Sequence, residues 1–236
     1  MTFPKRIFPS PEAVAEAFAE RLVQLIKEQD HLTVALSGGS TPKLLFRLLA
    51  EKYRSAVDWS RIHIFWGDER CVPPNDADSN YGMTHDLWLA HVDIPEQNIH
   101  RVRGEDDPAS EAKRYASLIK DSLPMTEQWP QFDLIILGMG ADGHTASIFP
   151  HQIDLLQSPD VCAVATHPES GQKRISLTGE VLNCAKEVIF LVTGASKTPV
   201  LEEIFGQIGN WQSYPAAHIH PSGSLVWYLD EAAWTS

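Results

Sequence analysis

Positive charge and cysteine are both scarce in this sequence. Against 31 Asp and Glu stand 19 Lys and Arg, a net charge of −12 over 236 residues. A chain this acidic does not grip nucleic acid or an anionic membrane through its general field, so any anion it binds needs a locally arranged site. The three cysteines, Cys71, Cys162 and Cys184, are far apart and odd in number, with no C-x-x-C among them. They read as reduced thiols, not as a disulfide frame or a zinc site. No run approaches the ~18 apolar residues of a membrane span, and Met-Thr-Phe-Pro-Lys-Arg at the start lacks a signal peptide's apolar core. A cytoplasmic location is expected. No linker, charge block, internal repeat or low-complexity segment divides the chain, so 1–236 is read as one domain. Its 43% hydrophobic content is ordinary for a globular enzyme and sufficient for a sizeable core.

What the sequence does have is centred on Phe132 to Pro150. Leu134 to Leu137 is a short apolar run that suits a strand buried on both faces. Gly138-Met-Gly-Ala-Asp-Gly-His144 follows, placing an acid and an imidazole on a glycine-rich turn. In an open parallel sheet, the carboxyl end of a strand is where ligands bind. The run matches G-x-G-x-x-G, but a dinucleotide site also needs a long helix next and an acid about 20 residues on. Pro150 stops any helix within two turns, and Asp154 and Asp160 lie in an irregular stretch, so no nucleotide cofactor is expected.

Three other strand ends repeat the theme. His31 to Leu36 leads into Ser37-Gly38-Gly39-Ser40-Thr41, and Pro42 opens an amphipathic helix for which Thr41 is the expected cap. A strand, a glycine turn and a helix amino terminus make an anion cradle, although the Gly-Lys-Ser/Thr of a P-loop is missing. Arg61 to Trp66 ends in Gly67-Asp68-Glu69-Arg70, and Glu187 to Val192 ends in Thr193-Gly-Ala-Ser-Lys197. Val161–Ala165 and Lys173–Leu177 are expected as strands around the loop 167–172, and Ser224 to Leu229 as the strand that closes the sheet. His218 and His220 form a His-x-His pair with no third ligand at useful spacing, so no metal is expected. Strands alternating with helices predict an α/β, Rossmann-like fold: a largely parallel sheet with helices on both faces.

The four strand ends, taken with Lys173-Arg174-Ile-Ser-Leu-Thr178, resemble the 6-phosphogluconolactonase family, part of a wider group that includes glucosamine-6-phosphate deaminase. Gly-x-Gly-x-Asp-Gly-His-x-Ala-Ser-x-Phe-Pro is the most specific piece; Gly-Asp-Glu-Arg followed by Ser79-Asn80-Tyr81 is the next. The resemblance runs from about Leu32 to Ala233. Deaminase relatives carry an acid just before the closing Pro, where this chain has Phe149; that departure counts for lactone hydrolysis. A sugar-phosphate sensor from a transcription regulator would need a DNA-binding segment, and about 30 residues, read as one helix, precede the strand at Leu32.

The resemblance implies hydrolysis of 6-phospho-D-glucono-1,5-lactone to 6-phosphogluconate in the oxidative pentose phosphate pathway. No metal, cofactor or obligatory protein partner is implied. A histidine titrates near neutrality and can handle both proton steps, which makes His144 the general base. Gly38, Gly39, Ser40 and Thr41 offer amides and hydroxyls to the phosphate; Arg174 and Lys197 supply positive charge by resemblance to the wider family. Asp68 and Asp142 bind sugar hydroxyls or orient the site. Arg70 holds the oxyanion or the carboxylate product, unless it is consumed in an ion pair with Glu69 or a neighbouring acid. Lys173 and Arg174 point opposite ways on a strand, so only one of them reaches the phosphate.

Overall fold

Short apolar runs separated by glycine turns and amphipathic helices fold here as anticipated, and the computed structural model describes residues 3–234. Strand β1 (Lys5–Phe8) leads to α1 (Pro11–Glu28). Ser10 caps α1 by accepting the Ala13 N–H, with Pro11 at its first turn. β2 (Leu32–Leu36) follows, then α2 (Ser40–Glu51), β3 (Ile62–Trp66), β4 (Asp68–Arg70), α3 (Asn80–Leu87) and α4 (Pro108–Ser122). The second half holds β5 (Leu134–Leu137), β6 (Cys162–Thr166), β7 (Lys173–Leu177), α5 (Gly179–Cys184), β8 (Glu187–Val192), α6 (Thr198–Gly206) and β9 (Ser224–Asp230).

Six strands form one parallel sheet in the order β1-β9-β8-β5-β2-β3. Every residue of β2 and β5 is buried, as a strand covered on both faces requires. The order reverses at β2: β3 pairs on one side of it and β5 on the other. The carboxyl ends of β2 and β5 therefore flank the topological switch point, where a crevice opens. Register there is pinned by Asp133, whose carboxylate accepts the Thr33 N–H and hydroxyl at 2.8 Å each and the Lys186 ammonium at 2.8 Å.

Three expectations are corrected. The run Asp68–Arg70 is not a loop after a strand but β4 itself, in a second, antiparallel sheet ordered β4-β7-β6. Gly67 is the junction, donating its N–H to Leu36 O and accepting from the Leu177 N–H. β9 does not close the parallel sheet, because β1 pairs beyond it; the first strand is thus Lys5–Phe8, not the strand at Leu32. Thr41 does not cap α2: the helix begins at Ser40 with Gly39 at the cap position, and the Thr41 hydroxyl is hydrogen-bonded to that of Thr193 at 2.8 Å.

Candidate active site

The two sheets meet over a cleft of about 260 Å³ at the switch point. The β2–α2 turn lines it with Gly38, Gly39, Ser40 and Thr41, and the turn after β5 with Gly138, Gly140 and His144. The antiparallel sheet contributes Asp68, Arg70 and Arg174; the turn after β8 contributes Thr193 and Lys197. Residues anticipated from segments up to 159 positions apart, from Gly38 to Lys197, thus share one cavity. Asp142 alone of the anticipated set is not among the lining residues; it sits against His144.

That contact defines the imidazole. A carboxylate only accepts, so the 2.6 Å approach of His144 Nδ1 to Asp142 Oδ1 puts the proton on Nδ1 and leaves the Nε2 lone pair for the cleft. The same Oδ1 accepts the His144 backbone N–H at 3.2 Å. Burial pushes the Asp142 carboxyl up, but the hydrogen bond and charge of His144, with the backbone N–H groups, outweigh it and set its pKa at about 2. The ring of Phe149, fully buried, lies 4.8 Å from the imidazole centroid and 5.7 Å from the Arg174 guanidinium. At position 149 an apolar ring, not an acid, thus stands beside His144.

Among the described residues, Arg70, Arg174 and Lys197 of the cleft form no ion pair. Arg70 and Arg174 sit directly opposite one another across β4 and β7, an arrangement of like charges that costs stability unless an anion lies between them. Both Nε atoms are buried without a hydrogen-bond partner. Burial lowers the Arg174 pKa, partly offset by Asp68, and burial lowers that of Lys197, partly offset by Asp142. The ion pair between Arg70 and Glu69 does not form. Glu69 is 2% exposed and its carboxylate accepts the N–H groups of Arg70, Asn80 and Tyr81 and the Ser79 hydroxyl. Arg70 instead donates to the Asp78 carbonyl. Of the neighbouring pair, Arg174 lines the cleft, whereas Lys173 turns away to donate to Thr166 Oγ1 at 2.8 Å.

Asp68 is buried and accepts the Ser147 hydroxyl at 2.6 Å through one carboxylate oxygen. Asn80 is the lining residue that sequence reasoning passed over. Its amide donates to the Asp68 carbonyl at 2.9 Å, and its Oδ1 lies where a Cβ on Gly38 would be, 1.9 Å away, so only glycine fits at 38. Its signal was the Ser79-Asn80-Tyr81 run, whose placement depends on Glu69 and is invisible until the fold is known. Nε2 of His218 contacts the Gln212 carbonyl, and the His220 N–H donates to Asn183 Oδ1 at 2.6 Å.

Comparison with known proteins identifies the family of the chain. The family described as glucosamine-6-phosphate isomerases/6-phosphogluconolactonase matches residues 10–227. A 6-phosphogluconolactonase of Treponema pallidum is 48% identical over 200 residues, 85% of this chain and 83% of that protein. One of Haemophilus influenzae is 44% identical over 228 residues, 96% of each chain. Among solved structures, the devB protein superposes with a TM-score of 0.94 at 45% identity, covering 98% of both chains.

Proposed function

The chain belongs to the glucosamine-6-phosphate isomerase/6-phosphogluconolactonase family, and from that premise we propose that it hydrolyses 6-phospho-D-glucono-1,5-lactone to 6-phosphogluconate with His144 as general base. The observation that carries this reading is the Asp142–His144 pair, 2.6 Å apart, opening onto a cleft where Arg70 and Arg174 keep buried Nε atoms without a hydrogen-bond partner.

In this mechanism Nε2 of His144 takes a proton from water as the water oxygen bonds to the lactone carbonyl carbon. Asp142 holds the ring in the tautomer that leaves Nε2 free and stabilises the imidazolium that forms. The carbonyl oxygen becomes an oxyanion facing Arg70, which then neutralises the product carboxylate. The C1–ring-oxygen bond breaks, and the imidazolium returns its proton to the departing oxygen. At the far end, the phosphate is held by the amides and hydroxyls of Gly38 to Thr41 at the amino terminus of α2. Arg174 adds a planar fork there and Lys197 a point charge. Asp68 accepts a sugar hydroxyl with its free oxygen. Positioning of this kind rivals the proton chemistry in magnitude.

Amino-sugar deamination fits less well, since Phe149 leaves the histidine without the second acid that ring opening and isomerisation need. We place the reaction in the cytoplasm, in a single domain working without a cofactor or an obligatory partner. The test is acid release from freshly made phosphogluconolactone at slightly acidic pH, with chelator present. Release well above the spontaneous rate on the phosphorylated lactone, and little on gluconolactone itself, is expected. Equal rates on the two, or none above background, overturn the proposal.

A further inference from the structure

A turn built from three glycines in six residues is inherently loose, yet the base it carries needs a fixed position. Part of the rigidity is internal. Gly140 donates its N–H to His144 O at 2.9 Å, and Gly143 donates to Gly140 O at 3.2 Å. The Asp142–His144 pair folds over Gly140 so closely that a Cβ there would lie 2.2 Å from Nδ1 and 2.4 Å from Oδ1.

The rest comes from a segment about 70 residues further along the chain. At Gly143, which has φ +77, the space of the missing side chain is taken by Tyr214: a Cβ there would stand 2.5 to 2.6 Å from the tyrosine's Cδ1, Cβ and Cγ. Two residues on, the Ala216 N–H donates to the Gly143 carbonyl at 3.0 Å. The Tyr214 hydroxyl donates to Glu203 Oε2 at 3.0 Å, and the same oxygen accepts the Asn210 N–H at 2.7 Å. Glu203 thus ties both ends of the loop 210–214 to α6, the helix that begins just after Lys197. Tyr214 is not part of the cleft lining, so it touches the turn and not the substrate space.

We infer that Tyr214, anchored by Glu203, is a positioning residue for the reaction, holding the back of the His144 turn so that the Asp142–His144 hydrogen bond keeps its geometry. This rests on the reading of His144 as the base. A misplacement of about 1 Å from a distant change can cost on the order of 10²-fold in rate.

The experiment compares Tyr214→Ala, Tyr214→Phe, Glu203→Ala and His144→Ala in the full chain. It reads kcat, KM, the pH profile of kcat, and the downfield proton resonance of His144 Nδ1–H. Tyr214→Ala is expected to lower kcat roughly 10- to 100-fold with KM within about twofold, to displace the acid limb of the profile and to broaden or remove the resonance. Tyr214→Phe keeps the ring on Gly143 and is expected within about threefold of wild type. Wild-type kcat, profile and resonance in Tyr214→Ala overturn the inference, as does a raised KM with intact kcat, which would make Tyr214 a substrate contact. Should Tyr214→Ala fail to fold, Glu203→Ala decides: a several-fold fall in kcat at constant KM supports the brace, and unchanged kcat refutes it. His144→Ala separates the two levels. Activity retained there defeats the base assignment, while an inactive His144→Ala beside a normal Tyr214→Ala defeats only the brace.

Discussion

His144 and Asp142 act as a unit, and the unit has a definite electrical state. Because the Asp142 carboxyl titrates at about 2, below its usual value near 4, it stays ionised throughout the range where an imidazole changes charge. Its contribution to stability is present above about pH 4 and is lost as the pH falls through about 2. Loss of activity between neutrality and pH 5 must therefore come from a group other than Asp142. Asp142→Asn keeps the shape but offers Nδ1 an ambiguous partner, so kcat is expected to fall about 10²-fold or more, with KM little changed. Steady-state kinetics across pH checks both statements. Arg174 works on binding: losing a charge-assisted, bidentate phosphate contact should raise KM roughly 10- to 100-fold in Arg174→Ala, with a smaller effect on kcat. An unchanged KM would return Arg174 to a structural role beside Phe149.

The site depends on elements whose placement is set by buried polar groups. Glu69 is the main one: burial raises its pKa, and the N–H groups of Tyr81, Asn80 and Arg70 pull it back by bonding the carboxylate. An anion at this point also satisfies the exposed amides at the start of α3. Glu69→Gln is expected to cost about 1–3 kcal/mol in urea unfolding, because buried donors lose a charged acceptor. It should also loosen Asn80 from Gly38 and raise KM. Much of this arrangement was legible beforehand. Apolar runs ending in Ser37-Gly-Gly, Gly138-Met-Gly and Thr193-Gly marked strand ends, since a buried strand and a glycine turn leave local signatures. The misses share a cause. β1 is four largely exposed residues whose partner β9 lies over 200 positions away, and β4 is three polar residues paired with β7 about 100 positions away. Strands that short carry no period of their own, and only the distant partner makes them strands. Thr41 was misassigned because Pro42 suggested a later helix start, whereas Gly39 lets α2 begin two residues earlier. The pairing of Asp142 with His144, two residues apart, was within reach of the sequence; the bracing of their turn by Tyr214 was not.

Across the whole molecule, an acidic chain gathers in one cleft cations that form no ion pair among the described residues, so substrate attraction is local and its dependence on salt should be modest. A further loss of stability in acid is expected at the β3 edge of the sheet. There His63 is held neutral, its pKa lowered to about 4 by burial and by the neighbouring His31 and His100. The unfolded chain binds that proton near pH 6.5 and the folded chain does not, so stability is full above about 6.5 and declines as the pH drops toward 4. The loss expected is on the order of 2 kcal/mol, discounted for partial exposure. His63→Gln should flatten it, as urea midpoints at pH 7 and pH 5 would reveal. Residues up to 159 positions apart in sequence line one cleft, and the proposed hydrolysis depends on the imidazole placed there. His144→Ala, assayed for hydrolysis of phosphogluconolactone and titrated with 6-phosphogluconate by calorimetry, tests it most directly. With His144 as the base, hydrolysis is expected to fall about 10²- to 10⁴-fold with phosphogluconate affinity preserved. Hydrolysis at the wild-type rate in that variant would contradict it.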